Sequence, residues 1–197
     1  MLKRAFDISL SVIGLIVLSP VFIVVSLCVL LDSKGPVFYK QTRVGLNNKD
    51  FSLYKFRTMF KGSEKSGLLT ISNIDTRITS CGYWLRKYKM DELPQLLNVL
   101  TGDMSLVGPR PEVRKYVDLY DKRQCSILSV KPGITDWASI QFHNESEILA
   151  TSDDPEHFYI NTIIPLKIEQ NLKYINDNNF WVDLKIIAIT LFKVVRK

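Results

Sequence analysis

The stretch Lys89-Met90-Asp91-Glu92-Leu93-Pro94-Gln95 places two adjacent carboxylates at the start of a proline-marked helix. Two carboxylates so placed can hold a divalent cation, and Mg²⁺ typically takes one or two of them together with substrate phosphates. An Asp carboxylate can also attack phosphorus and give an aspartyl-phosphate type intermediate. Arg86 lies upstream, and Arg110 lies downstream between Pro109 and Pro111. Proline on both sides restricts that backbone, and a guanidinium takes phosphate in a bidentate fork. Acid pair, cation and arginines together would make a phosphoryl-transfer centre. A plainer reading competes with it: Asp91 caps the helix and Glu92 favours its positive end. Spacing alone leaves both open.

Other chemistries find little footing. The chain has no G-x-G-x-x-G, no P-loop and no G-x-S-x-G elbow, and its two histidines, His143 and His157, are too few for a His-rich metal site. Cys28, Cys81 and Cys125 are far apart and odd in number, which speaks against a disulfide framework or a zinc site. With 26 Lys and Arg against 20 Asp and Glu, the net charge of +6 favours polyanionic partners: nucleic acid, anionic lipid or phosphorylated small molecules. A length of 197 residues suits one domain, or one domain and an anchor.

The elements that must position the acid pair begin with an apolar run. Residues 8–31 carry no charge. As a straight helix they would reach roughly 36 Å, enough for a bilayer core of about 30 Å. Ser19-Pro20 interrupts the run, since proline breaks or kinks a helix and a Ser hydroxyl can satisfy one freed backbone group. Lys3 and Arg4 precede the run and Lys34 follows it, with Arg43, Lys49 and Lys55 close behind. Positive charge on both flanks predicts a re-entrant helix that returns to the face it left; a kinked single pass is the alternative. Aromatic-rich stretches at 37–43 and 51–57, joined through Gly45 and Asn47-Asn48, predict a β-hairpin. Residues 61–73 read as a mobile loop. Helices are predicted from Asp75 onward, over 91–100 with Leu93, Leu96, Leu97 and Leu100 on one side, over 112–124, over 156–176 and over 181–197. The last of these mixes Trp181, Leu184, Leu191 and Phe192 with Lys185, Lys193 and Arg196, as an interfacial helix would; an ordinary core-packing terminal helix fits equally.

The ordered motifs resemble the bacterial sugar transferases of the monotopic phosphoglycosyl transferase superfamily over nearly the whole chain. They are Lys3-Arg4-Ala5-Phe6-Asp7, Gly35-Pro36-Val37-Phe38, Gln41-Thr42-Arg43-Val44-Gly45, Tyr54-Lys55-Phe56-Arg57-Thr58-Met59, Asp91-Glu92-Leu93-Pro94-Gln95-Leu96, Gly102-Asp103-Met104-Ser105, Val107-Gly108-Pro109-Arg110-Pro111 and Lys131-Pro132-Gly133-Ile134-Thr135. The resemblance implies that Asp91 is the nucleophile toward the β-phosphate of a UDP-sugar. UMP would be released and the sugar phosphate passed to polyprenol (undecaprenyl) phosphate. It implies that Glu92 helps Asp91 hold Mg²⁺, and that Arg57, Arg86 and Arg110 steady phosphates. It also implies a re-entrant helix broken at Ser19 and Pro20.

The expected class is therefore α+β and mainly helical. Residues 1–33 form a re-entrant membrane helix. Residues 34–197 form a catalytic domain on the cytosolic face of the bacterial inner membrane, with a small β-hairpin and C-terminal membrane-interface helices. Membrane lipids are partners, nucleic acid is not, and a homo-oligomer is compatible with the pattern. After Ile134-Thr135 many members of the family have Gly-Trp or Gly-Leu and later Gly-Arg-Asn; Asp136-Trp137-Ala138-Ser139 and His143-Asn144 stand here instead. For His143 the simpler reading is a surface histidine. An inactive membrane scaffold and a lipid-phosphate hydrolase using the same carboxylates are the competing functions.

Overall fold

The computed structural model describes residues 2–63, 69 and 75–196. The apolar run folds as two helices, α1 (Leu2–Val17) and α2 (Ser19–Asp32), bent by 62° where they meet. Pro20 has no N–H for the carbonyl four residues back, that of Ile16. The Ser19 hydroxyl donates to that same oxygen at 2.8 Å, so the acceptor freed by proline keeps a partner. Among the described residues no single helix is long and apolar enough to cross a membrane; only the bent pair, taken together, is.

The hairpin forms as predicted. Strands β1 (Phe38–Val44) and β2 (Asp50–Phe56) pair antiparallel in a register running from Phe38↔Phe56 to Val44↔Asp50. Asn47 and Asn48 take φ of 53° and 60° in the connection, a left-handed conformation that asparagine tolerates better than most residues.

Three predicted helices are corrected. Helix α3 (Ser80–Lys87) starts later than Asp75. The Asp75 carboxylate accepts the Arg77 N–H at 3.0 Å, a local turn that competes with helix, and Thr79 caps α3 by accepting from Gly82 N–H at 3.0 Å. The helix over 91–100 is split into a 3₁₀ turn, Met90–Glu92, and helix α4 (Gln95–Thr101) after Pro94. The buried side of α4 is Gln95, Asn98 and Val99 rather than the leucine stripe, and Leu97 is exposed. The helix over 112–124 shrinks to α5 (Arg114–Val117). Asp121 and Gln124 accept each other's backbone N–H at 2.7 and 3.0 Å, a reciprocal cap that opens a separate 3₁₀ segment, Gln124–Ser129.

A short parallel pair, β3 (Ser105–Val107) with β4 (Gly133–Thr135), was not predicted. Three short helices follow: α6 (Trp137–Gln141), α7 (Glu145–Leu149) and α8 (Pro155–Phe158). The π-turn Tyr159–Ile163 joins α8 to α9 (Ile164–Asp177), and the three together cover the predicted stretch over 156–176. Helix α10 (Phe180–Val195) closes the described chain. Most of the predicted loop over 61–73 lies outside the described residues.

Four apolar clusters hold these elements. Val25, Val29, Phe56 and Leu85 join α2 to β2 and α3. Leu53, Val99 and Met104 set α4 on the hairpin, and Val107, Tyr174 and Ile186 pack β3 against α9 and α10. The remaining cluster, around Tyr116, Leu149, Tyr159 and Ile163, lies under the C-terminal helices.

Both ends of the bent pair are fastened to this body. At the start Lys3 pairs with Asp183, and Arg4 donates to the carbonyls of Val99 and Leu100 at the end of α4. Asp7 accepts from Ser105 Oγ at 2.8 Å and from Leu106 N–H at 3.1 Å. At the far end Asp32 accepts from Cys81 N–H at 2.8 Å. Between the two ends Ile13, Ile16, Val17, Ile23, Val24 and Leu27 are exposed.

Candidate active site

The chain enters the acid pair through a forced turn. Lys89, after α3, stands at φ 56°, a left-handed conformation that costs a non-glycine residue about 1–2 kcal/mol. It reverses the chain directly into Met90–Glu92. Helix α4 behind them is locked to the hairpin by Asn98. This fully buried side chain accepts from Tyr54 N–H at 2.9 Å and donates to the Ser52 carbonyl at 2.7 Å. The same lock sets the next strand residue, Lys55, against the dyad.

The two carboxylates have opposite surroundings. Glu92 is fully engaged: Arg110 forks onto both of its oxygens, and Lys55 donates to Oε1 at 3.0 Å. Burial opposes its charge, but Arg110 and Lys55 outweigh burial and hold Glu92 well below the ordinary carboxylate range. Asp91 is buried with Oδ1 lacking any hydrogen-bond partner. It caps neither the 3₁₀ turn nor α4, so the plainer reading of this residue falls. Burial first, and the Glu92 charge second, push Asp91 above its ordinary value.

The dyad opens on a cavity of about 750 Å³. Among the described residues its wall carries ten Lys and Arg against five Asp and Glu, so it suits a polyanion. Arg86 and Arg110, the expected phosphate contacts, both stand in this wall. Arg86 Nε donates to Thr58 Oγ1 at 2.9 Å. Arg57 lines the cavity as well, but its guanidinium donates to the carbonyls of Val29, Ser33 and Lys34 at 3.1, 2.8 and 2.6 Å. It closes the C-terminus of α2, an occupation that its neighbouring motif did not reveal. Gly35 is held at φ 140° beside it, where a Cβ would fall 2.6 Å from the Arg57 guanidinium. His143 is exposed and sits at the cavity rim.

Several residues of this site escaped the sequence. Lys55 was read only as flanking charge. Glu112, directly after Pro111, accepts from Arg43 at 2.8 Å and from Tyr159 Oη, and lines the same cavity. Its one local signal was a carboxylate adjoining the Pro-Arg-Pro segment.

Among the described residues no group of three or more His, Cys, Asp or Glu could ring a cation. That donor set is still compatible with Mg²⁺, which dehydrates reluctantly and binds through one or two carboxylates. The unpartnered Asp91 Oδ1 is the buried oxygen such an ion would satisfy.

Residues 1–197 match the family described as bacterial sugar transferase, and the chain belongs to that family. Its relatives carry more particular names. The UDP-N-acetylgalactosamine-undecaprenyl-phosphate N-acetylgalactosaminephosphotransferase of Aeromonas hydrophila is 39% identical over 99% of this chain and 43% of its own length. The uncharacterized sugar transferase EpsL of Bacillus subtilis (strain 168) is 41% identical over 98% of this chain and 87% of its own length. The UDP-glucose:undecaprenyl-phosphate glucose-1-phosphate transferase of Escherichia coli (strain K12) is 39% identical over 98% of this chain and 40% of its own length. The chain thus spans less than half of two of these relatives.

Proposed function

We propose that this protein is a phosphoglycosyl transferase, which moves a sugar 1-phosphate from a UDP-sugar to polyprenol (undecaprenyl) phosphate and starts the assembly of a polysaccharide or glycoconjugate. The observation that carries the reading is Asp91: a buried carboxylate in the wall of a cationic cavity, with one oxygen that has no donor. In the proposed first step an Asp91 oxygen forms a bond to the β-phosphorus. The bond from that phosphorus to the bridging oxygen breaks, and its electron pair leaves with UMP. In the second step a phosphate oxygen of the polyprenol phosphate attacks the same phosphorus, expels Asp91 and yields the polyprenol diphosphate sugar. Splitting the transfer lets two anionic substrates use one site in turn.

Arg86 and Arg110 would offset charge on the diphosphate and on the departing UMP. Glu92 would hold Arg110 and Lys55 in place. Mg²⁺, when bound, would supply further charge stabilisation on the phosphoryl oxygens. Asp91 and Glu92 would hold it, Glu92 by exchanging one of its present contacts. Arg57 would act by fixing α2 to the catalytic body.

The bent pair would enter one leaflet and return to the cytoplasmic face. Its fastened ends support this, because residues 3–7 and 32 both contact the body that carries the dyad. The exposed Trp181, Leu184, Leu191 and Phe192 of α10 would lie in the same interface.

The test is UMP release from a panel of UDP-sugars, UDP-N-acetylgalactosamine and UDP-glucose first, with undecaprenyl phosphate and Mg²⁺. Asp91→Asn with Glu92 intact loses release by about 10³-fold or more while folding and membrane attachment persist. Wild-type turnover in that variant removes Asp91 as nucleophile. Free phosphate in place of a lipid diphosphate sugar identifies a hydrolase, and no UMP from any donor identifies a scaffold.

A further inference from the structure

Asp136 is fully buried between β4 and α6, and its two carboxylate oxygens serve two different elements. Oδ1 accepts from Ser139 N–H at 2.6 Å and caps α6. Oδ2 accepts from the backbone N–H of Arg110 at 3.3 Å. That N–H is the single backbone donor of Pro109-Arg110-Pro111, since proline has none. The carbonyls of the same segment are held too: Pro109 accepts from Gly133 N–H at 3.0 Å, and Pro111 accepts from Arg43 at 3.1 Å. The backbone under Arg110 is therefore tied to β4, to β1 and to Asp136, while its guanidinium forks onto Glu92.

A helix cap needs only one oxygen, and Asn, Ser or Thr would serve α6 as well as Asp does. The second oxygen is what distinguishes this carboxylate, and it meets an arginine that both holds Glu92 and lines the cavity. We propose that Asp136 is a positioning residue for Arg110: it fixes the arginine's backbone so that the guanidinium reaches Glu92 and the substrate diphosphate. The catalytic part of this proposal rests on the transferase reading; the positioning part does not. It also gives a role to a position where the family pattern led to an expectation of glycine.

The experiment uses Asp136→Asn and Asp136→Ser in the full chain. Both variants keep an oxygen for Ser139 N–H, and neither offers an acceptor to Arg110 N–H at the same time. The first readout is hydrogen exchange of the Arg110 amide, followed by NMR on ¹⁵N-arginine-labelled protein in detergent without substrate. Exchange quickens by about tenfold or more in both variants, as loss of a hydrogen bond to a charged acceptor requires. Unchanged protection overturns the proposal whether or not the protein is a transferase. The second readout is UMP release. In Asp136→Asn, kcat falls by about tenfold while KM for the UDP-sugar moves by less than about twofold, the split expected when a charge-stabilising group is misplaced in the transition state. In an Arg110→Ala background the same substitution changes kcat by less than about twofold, because its effect runs through Arg110. A wild-type kcat in both variants, or an equal loss in the Arg110→Ala background, overturns the positioning role while leaving the transferase reading intact. Failure of the wild-type chain to release UMP sinks the transferase reading and, with it, the catalytic part of the proposal.

Discussion

Asp91 keeps a buried carboxylate oxygen without a donor, and leaving such a group unsatisfied costs about 1–3 kcal/mol or more. One residue on, Glu92 is matched by two cations. The pair is thus split, with Glu92 charged first and Asp91 last. Glu92 contributes stability that is complete above the unfolded carboxylate range and is lost as pH falls through its depressed value. A nucleophilic Asp91 must be ionised, so UMP release falls in acid at a pH above 3.8, the ordinary value for Asp. Glu92→Gln removes the neighbouring negative charge and moves the acid limb of the residual activity to lower pH. A pH–rate profile whose acid limb stays in place or moves upward contradicts this. That the dyad, Arg86 and Arg110 share one cavity was legible because their residue types cluster in short motifs. Lys55 and Asn98 were not, because they reach their partners across 37 and 44 residues, where no local pattern operates. The hold of Arg57 on the end of α2 was hidden for the same reason: its charge was visible, but its acceptors lie 23 to 28 residues back.

Between elements, backbone approach decides what side-chain pattern cannot. The bend at Ser19-Pro20 was readable because one residue removes a hydrogen bond and its neighbour restores it within a single turn. The pairing of β3 with β4 was not readable: each strand has three residues, too few for any periodicity. What the sequence did carry was glycine on both sides. A Cβ on Gly133 would sit 2.1 Å from Gly108 N, and one on Gly108 would sit 2.5 Å from the Lys131 carbonyl. Gly133→Ala therefore forces β4 away from the Arg110 loop and costs roughly 3 kcal/mol, at the upper end of overpacking effects. For a chain of this size that lowers the thermal midpoint by about 6–12 °C. Melting in detergent measures it, and an unshifted midpoint would mean that the two strands do not meet as described.

Across the whole molecule, an apolar bent pair is fastened at both ends to the body that holds the dyad. In the proposed reading such a pair would set the cavity at a fixed height relative to the lipid, where a soluble donor and a lipid phosphate could both arrive. With Cys28, Cys81 and Cys125 replaced by Ser, single cysteines at Leu2→Cys and Lys34→Cys report the topology. An impermeant maleimide labels both in inverted membrane vesicles and neither in right-side-out ones. Labelling of one site from each side establishes a single pass and contradicts re-entry.

The central claim is a covalent bond between Asp91 and the sugar phosphate. Intact-protein mass spectrometry after incubation with UDP-sugar and Mg²⁺, without polyprenol phosphate, reads it directly. The account predicts a mass increase equal to one sugar phosphate, mapped to Asp91 by peptide analysis, absent in Asp91→Asn and discharged when undecaprenyl phosphate is added. Lipid product formed at the wild-type rate with no such adduct on Asp91 would contradict it.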